Sequence, residues 1–393
     1  MALTYQEGVA YRPAYESVPL LPYTVGEALR LAGHRNAERT ALVEGPSGRR
    51  WTYAELLRDA ESTARGLLTR FAPGEHVAVW SGNTPERVLA EFGAALAGLV
   101  LVPVDREAGI AELEFVLKRS GATGLLVQAD RAAVAATAVR EIVTLGSIGA
   151  PAGRRLPPVA ADDVAQIQYT AGSKGALLTH RALINGGYLY ASAIGARPGD
   201  VWVDHLPLSR TSVVTLGALQ TGGVHTLVQD EDPEHGTIMV TDPATLAEML
   251  DAGRDLSAFT IVSLSEHPDP ELIQRARGVR LGIGYGRPEA SVIAHTAVGE
   301  TAARPLPRFE VRIVDPATRA TLAVGEVGEI VTRGVAVMRA YYRDHETKVF
   351  DAQGWLRTGD RGAMDECGCL RMTAPRRQIS STGERAAAYG ARI

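Results

Sequence analysis

The stretch HVAVWSGNTPERVLAEFGAALAGLVLVPVD, residues 76–105, carries the pattern that decides the fold. It begins with a short apolar and β-branched run, which is typical of a buried strand. Polar capping residues follow this run, and an apolar helix comes after them. A second buried strand, VLVPVD, ends the stretch. Strand, helix and strand in this order predict a βαβ unit in a largely parallel sheet.

The same alternation continues on both sides of this unit. Residues 52–71 place apolar side chains at spacings of three and four, which predicts an amphipathic helix. Further strands are predicted at 124–128 and 165–170. From about Glu310 onward, short strands alternate with tight turns, which indicates an antiparallel region. We therefore expect an α/β chain built from stacked αβα subdomains and one small antiparallel β subdomain.

A short Pro/Gly/Arg-rich stretch at residues 149–158 predicts a surface loop between two parts of the chain. The predicted boundaries divide the 393 residues into a first α/β subdomain, a second α/β subdomain that holds the candidate pocket, and a β subdomain. These three parts are 1–150, 151–305 and 306–393.

Composition excludes several classes of function. The 41 basic and 45 acidic residues give a net charge of −4, so there is no electrostatic footprint for nucleic acid or an anionic membrane. No run of 18 apolar residues and no signal peptide are recognised, so we expect no membrane span and a cytoplasmic location. Two cysteines, Cys367 and Cys369, are too few for a disulfide framework or a zinc site. A nucleophilic role for either is disfavoured, because Cys367 is predicted in a hairpin turn and Cys369 in the core.

Several segments together resemble the adenylate-forming superfamily of acyl-CoA synthetases, peptide-synthetase adenylation domains and luciferases. YTAGSKGALLTHRAL occupies the place of the phosphate-loop signature of that family, and HLPLSR resembles its P-L-x-H stretch. GYGRPE resembles its G-Y-G-x-T-E motif, and residues 325–372, including TGD at 358–360, follow the family pattern closely. The order and spacing of these motifs over about residues 23–385 identify the chain as resembling the N-terminal large domain of the family.

The resemblance implies a two-step reaction in which a carboxylate attacks the α-phosphate of ATP and an amine or thiol then takes the acyl group. It also implies roles for matching residues in the ancestral nucleotide pocket. Tyr285 and Gly286 match the motif whose aromatic residue stacks on adenine, and Glu289 matches a magnesium-binding carboxylate. Asp360 matches the carboxylate that holds the ribose hydroxyls. Each also has a structural alternative, since Tyr285 could be a core residue, Glu289 a cap and Asp360 a turn residue.

Other segments depart from the family pattern. The phosphate loop, YTAGSKGA at 169–176, is shorter by the segment that wraps the β- and γ-phosphates, although Lys174 and Gly175 remain. The Gly-Gly-Ala-Pro turn beside adenine becomes SEHP at 265–268, and Arg210 stands at the position of the usual histidine. In the hinge motif, TAPR at 373–376 lacks the family arginine and aspartate.

The chain also ends at Ile393, so the mobile C-terminal domain of the family and its catalytic lysine are expected to be absent. These losses all concern nucleotide chemistry, in which electrostatic stabilisation usually dominates. They predict that ATP and magnesium are not required, and that Glu289 is a metal ligand only if magnesium is still bound.

Three hypotheses follow. The first is ATP-independent transfer of an acyl group from a CoA or carrier-protein thioester to an amine, hydroxyl or thiol, in secondary metabolism. Here His267 is the candidate base, and Arg210 and Lys174 are candidate anion-binding residues. Tyr285 or Glu289 would orient the acceptor.

The second hypothesis is a non-catalytic protein that binds an acyl ligand or a partner, and the third is an acyl-adenylate-forming ligase that still uses ATP. His205 lies beside the predicted pocket as a weaker candidate. The expected partners are an acyl thioester or an acyl carrier protein, and a homodimer is left open.

Overall fold

The computed structural model describes residues 8–45, 47–131, 139–148, 153–170, 174–210, 212–228, 236–344 and 347–373. Helices in these ranges follow the apolar periodicity of the sequence. The helices are α1 (Val25–Arg35), α2 (Tyr53–Leu67), α3 (Pro85–Ala97), α4 (Ile110–Ser120), α5 (His180–Ala193), α6 (Val213–Thr221), α7 (Pro243–Asp251) and α8 (Pro270–Arg275).

The strands form two sheets. The first ten strands are β1 (Tyr11–Arg12), β2 (Thr40–Glu44), β3 (Arg50–Thr52), β4 (His76–Ser81), β5 (Val100–Asp105), β6 (Gly124–Val127), β7 (Glu141–Thr144), β8 (Val164–Tyr169), β9 (Gly175–Thr179) and β10 (Val201–Asp204). The others are β11 (Val224–Leu227), β12 (Ile238–Thr241), β13 (Ile261–Leu264), β14 (Leu281–Arg287), β15 (Ser291–Thr296), β16 (Ala303–Pro305), β17 (Phe309–Val314), β18 (Gly328–Gly334), β19 (Leu356–Met364) and β20 (Leu370–Met372).

The predicted βαβ unit is present as β4, α3 and β5. Thr84 caps α3 by accepting a hydrogen bond from the backbone of Arg87, and Pro85 begins the helix. Gly98 ends it in the left-handed conformation, with φ of 67°. Each cap of this kind contributes about 1 kcal/mol. The six-stranded sheet containing this unit has the order β7-β6-β4-β5-β8-β9, and it is parallel except for β9.

The second sheet has fourteen strands in the order β1-β17-β18-β19-β20-β16-β15-β14-β13-β12-β10-β11-β2-β3. From β14 to β2 its strands run parallel, whereas from β14 to β1 they pair antiparallel. The first strand of the chain, β1, therefore pairs with β17 near the other end of the sequence. The predicted α/β architecture is confirmed, but the antiparallel region does not begin at about Glu310: β14 and β15 already pair antiparallel, and β1 joins the same region from the other end of the sequence.

The carboxyl ends of strands in the two sheets meet. Asn83, in the loop after β4, donates to the carbonyl of Leu206 and accepts from the backbone of Leu208, both in the loop after β10. Arg87 is fully buried, and it donates to the carbonyl of Ser81 and pairs with Glu91 at 2.9 Å. In open α/β sheets, ligands bind at the carboxyl ends of strands.

Three further predictions concern the cysteines, a membrane span and the hinge motif. Cys367 is exposed and Cys369 is buried, as expected. No helix among the described ranges is long and apolar enough to cross a bilayer. Ala374 and Arg376, the residues that depart from the hinge motif, lie outside the described residues.

Candidate active site

A tight turn after β14 holds the centre of the candidate site. The backbone of Ala290 donates to the carbonyl of Arg287, which closes the turn, and β15 then runs antiparallel to β14. The pairing of the two strands shifts register between Tyr285 and Gly286. A Cβ atom on Gly286 would lie 2.3 Å from the carbonyl oxygen of Ser291, so this bulge requires glycine.

The bulge and turn direct two polar side chains toward Asp360 of β19 and bring Glu289 beside one of them. The hydroxyl of Tyr285 donates to Oδ2 of Asp360 at 3.1 Å, and Nη1 of Arg287 donates to the same oxygen at 2.9 Å. Nε of Arg287 also lies 3.5 Å from Oε2 of Glu289. One guanidinium thus stands between two carboxylates that come from different strands and turns.

Burial and charge set the protonation of these groups. Burial raises the pKa of Tyr285, and the neighbouring Asp360 carboxylate raises it further. Burial alone would lower the pKa of Arg287, but the Glu289 and Asp360 carboxylates raise it by more. At neutral pH, Tyr285 is therefore a neutral hydrogen-bond donor and Arg287 is a cation.

Glu289 is 2% exposed, and Tyr341 donates a hydrogen bond of 2.6 Å to its Oε1. Tyr341 reaches this position because its segment lies against β9: the backbone of Tyr342 donates to the carbonyl of Gly175. Burial raises the pKa of Tyr341, with Glu289 adding to the effect, so the phenol keeps its proton.

Lys174 lies at the other side of Tyr341, with Nζ 5.2 Å from the centre of its ring. The same Nζ donates to Oγ1 of Thr347 at 2.5 Å and is 3.4 Å from Oδ2 of Asp344. Hydrogen bonds from Thr347, together with Lys174, lower the pKa of Asp344 to about 2. Lys174 therefore already has an anionic partner.

The shortened phosphate-loop segment forms a hairpin. β8 and β9 pair antiparallel, and the backbone of Thr170 donates to the carbonyl of Lys174 at 2.9 Å. This hydrogen bond closes the hairpin with Lys174 at its end. The three residues between them, 171–173, lie outside the described part of the chain.

The other three candidates are not hydrogen-bonded or ion-paired to this cluster in the described part of the chain. His267 is exposed, and its Nδ1 lies 2.8 Å from the carbonyl of Pro268. Nε of Arg210 is 3.7 Å from Oδ2 of Asp105, at the meeting point of the two sheets. His205 is half-buried directly after β10. Their proposed catalytic roles stay predictions.

The residues present fit a nucleotide with its metal ion. Oε2 of Glu289 is buried and makes no hydrogen bond to a described residue; its charged neighbour is Nε of Arg287 at 3.5 Å, so a lone pair remains that a metal cation could use. No group of three or more His, Cys, Asp or Glu side chains is arranged to hold a metal in the described ranges. Magnesium commonly binds through one or two carboxylates plus substrate phosphates, so one buried carboxylate beside a nucleotide is sufficient.

Comparison with known proteins identifies the class. The model of the AMP-binding enzyme family matches residues 29–342, and the chain belongs to that family. The putative acyl-CoA synthetase YngI of Bacillus subtilis is 29% identical over 434 residues, covering 90% of this chain and 79% of the relative. A 3-[(3aS,4S,7aS)-7a-methyl-1,5-dioxo-octahydro-1H-inden-4-yl]propanoyl:CoA ligase of Mycobacterium tuberculosis is 30% identical over 421 residues, covering 89% and 78%.

Solved structures show the same fold. A long-chain-fatty-acid-CoA ligase, FadD1 from Archaeoglobus fulgidus, matches with a TM-score of 0.83 at 21% identity, over 93% of this chain and 87% of the other. The ATP-bound MatB of Rhodopseudomonas palustris matches with a TM-score of 0.82 at 23% identity, over 92% and 80%.

The prediction that ATP and magnesium are not required is wrong. The chain belongs to a family of AMP-binding enzymes, its relatives include an acyl-CoA synthetase and a CoA ligase, and the ATP-bound MatB shares its fold. The prediction rested on departures from the family pattern in the phosphate loop, the turn beside adenine, the position of Arg210 and the hinge, and on the expected absence of the C-terminal domain. The structure shows that the carboxylates of Glu289 and Asp360 are nevertheless held together in one hydrogen-bonded cluster.

Sequence reasoning missed Arg287 and Tyr341, although both lie inside the motifs that carried the resemblance. The available signal for Arg287 was its position: it is a charged residue directly before Pro288 and Glu289, which are in the turn. Tyr341 carried no signal, because its contact with Glu289 depends on the pairing of its segment with β9.

Proposed function

We propose that this protein activates a carboxylic acid with ATP, forming an acyl adenylate that is then transferred to a thiol such as that of coenzyme A. The observation that carries the proposal is the cluster in which Tyr285 and Arg287 both donate to Asp360, while Oε2 of the buried Glu289 makes no hydrogen bond to a described residue and faces Nε of Arg287 at 3.5 Å. Membership of the AMP-binding family and the CoA-ligase relatives support the same reaction class.

Each residue has a distinct task in this proposal. Asp360 would hold the ribose hydroxyls, since a carboxylate accepts hydrogen bonds from both. Glu289 would hold the metal ion, which when bound supplies Lewis-acid stabilisation of charge on the phosphates. Tyr341 keeps the Glu289 carboxylate in one orientation by donating to Oε1. Tyr285 does the same for Asp360.

Pyrophosphate exchange tests the first half-reaction. Purified protein, magnesium, ATP, labelled pyrophosphate and a panel of carboxylic acids should give acid-dependent exchange. Glu289→Gln should lower the exchange rate roughly 10²–10³-fold, because the carboxylate that would hold the metal ion at the reacting phosphates is lost. The matched control is Glu300→Gln, because Glu300 is an exposed carboxylate outside the cluster.

A second arm supplies acyl-CoA donors and amine, hydroxyl or thiol acceptors without ATP. Acyl transfer in this arm, together with no exchange for any acid, would contradict the proposal and favour the thioester hypothesis. Absence of both activities alongside stable capture of an acyl carrier protein would instead favour a binding protein. CoA thioester formation with ATP identifies the thiol acceptor.

A further inference from the structure

The position of Arg287 between two carboxylates points to a function of its own. On one side, Nη1 contacts Asp360, the residue proposed to hold ribose; on the other, Nε faces Glu289, the residue proposed to hold the metal. In a nucleotide–metal complex, the phosphate groups lie between the ribose and the metal, because the first phosphate is bonded to the ribose and phosphate oxygens bind the metal. A cation that contacts both carboxylates is therefore beside the phosphate next to the ribose.

We propose that Arg287 recognises this first phosphate of the nucleotide and gives the site its preference for a phosphorylated nucleoside. The inference rests on the proposed function, since it assumes that the site takes a nucleotide. A guanidinium suits the task because its five N–H groups form a planar fork that matches phosphate oxygens. Two of its nitrogens contact the carboxylates, while Nη2 makes no hydrogen bond to a described residue.

Local charge supports the assignment. Arg287 faces two carboxylates, so the three groups together carry one net negative charge. Removing the guanidinium would leave two negative charges beside an incoming phosphate, and the Arg287 side chain is 26% exposed, so a ligand can reach it. Repulsion between these carboxylates and a phosphate bound beside them would be only weakly screened by salt, because the site is partly buried.

The rest of the described site offers few other cations. Lys174, the lysine retained from the phosphate loop, is engaged with Asp344 and Thr347. Pro288 follows Arg287 directly, and proline has neither a backbone N–H nor a side-chain donor. Arg287 therefore supplies positive charge next to a residue of the turn, Pro288, that supplies no donor.

The test compares AMP with adenosine, which differ by one phosphate, by isothermal titration calorimetry without metal or acid. In the wild type, AMP should bind about tenfold or more tightly than adenosine, as expected for charge-assisted hydrogen bonds. Arg287→Gln, which removes the charge but still reaches Asp360, should lower the ratio of AMP to adenosine affinity by a similar factor, so that the preference disappears. Arg287→Lys should restore part of it, because the charge returns without the planar fork.

The matched control is Arg361→Gln, since Arg361 is exposed and its side chain points to the opposite face of β19 from Asp360. The assignment would be overturned if the ratio of AMP to adenosine affinity were unchanged in Arg287→Gln. It would also be overturned if that ratio fell as much in Arg361→Gln as in Arg287→Gln. If Arg287→Gln does not fold, the ratio of AMP to adenosine affinity is compared between the double variant Arg287→Gln/Glu289→Gln and the single variant Glu289→Gln. The double variant keeps the net charge of the wild-type cluster, so this comparison decides the question.

Failure of this inference is distinguishable from failure of the proposed function. The affinity ratio involves no catalysis, so it can appear as expected in a protein that shows no pyrophosphate exchange. Exchange with an unchanged ratio in Arg287→Gln would overturn the role of Arg287 alone. Binding of neither adenosine nor AMP to the wild type would overturn both.

Discussion

Replacing Tyr341 by phenylalanine removes one hydroxyl from the candidate site and leaves the ring in place. That hydroxyl donates to Oε1 of Glu289 at 2.6 Å, and Glu289 is 2% exposed. A hydrogen bond to a charged group contributes about 1.5–3 kcal/mol, and a buried acceptor that loses its donor keeps its desolvation cost. We expect Tyr341→Phe to lower the free energy of unfolding by about 2 kcal/mol.

Urea denaturation followed by tryptophan fluorescence measures this loss, because the midpoint falls in proportion to stability when the slope is unchanged. The matched control is Tyr342→Phe, since the neighbouring hydroxyl makes no hydrogen bond to a described residue and should cost less than about 0.5 kcal/mol. A double-mutant cycle with Glu289→Gln then isolates the pair.

Refutation would come from that cycle. The charged acceptor is absent in the Glu289→Gln background, so removing the Tyr341 hydroxyl should cost at least about 1 kcal/mol less there. Equal costs in both backgrounds would mean that the hydroxyl does not support the Glu289 carboxylate. The proposed positioning role of Tyr341 would then be wrong.

Three further predictions concern other parts of the structure. Gly286→Ala should destabilise the fold by about 1–3 kcal/mol and lower exchange activity, because the new Cβ would lie 2.3 Å from the carbonyl oxygen of Ser291; unfolding curves and exchange assays check this. Burial lowers the pKa of His295 to about 4, so the unfolded protein takes up a proton at this histidine at a higher pH than the folded protein does. The free energy of unfolding should therefore fall by up to about 3 kcal/mol as the pH drops from 6.5 to 4. Thermal unfolding at a series of pH values measures this, and His295→Gln should flatten the pH dependence. Arg87→Met should cost about 3–5 kcal/mol, because the fully buried guanidinium is lost and Glu91, 15% exposed, is left without its cation. Arg87→Met/Glu91→Gln should recover part of the loss in urea denaturation.

Strands that are buried on both faces were predictable from the sequence. β4 and β5 each read as a continuous apolar run, and their structural bounds, His76–Ser81 and Val100–Asp105, agree with the predicted ones to within a residue. The cap of α3 was also predictable, since polar residues that include Thr84 precede its helical pattern and Thr84 accepts the hydrogen bond of a cap. Thr52 was predicted as the first residue of a helix, and the structure shows it as the cap of α2 instead.

The candidate site was predictable only in part. Tyr285, Glu289 and Asp360 lie in one cluster, although β14 and β19 are far apart in sequence; the roles that their motifs imply stay predictions. The contacts of Tyr341 and Lys174 were not predictable, because they depend on how residues near 340 pair with β9. Local periodicity reports which face of an element is apolar, and it carries no information about such distant pairing.

The pairing of β1 with β17 has a consequence for how the protein is made. The Tyr11 hydroxyl donates to Glu310, 299 positions later, so the opening segment leaves the ribosome long before its partner exists. The parallel sheets between them can assemble during translation, while this edge strand waits for the last antiparallel strands to emerge. Placement of β1 is therefore a late event in assembly, and deletion of residues 8–12 should leave the parallel strands folded but expose the edge of β17.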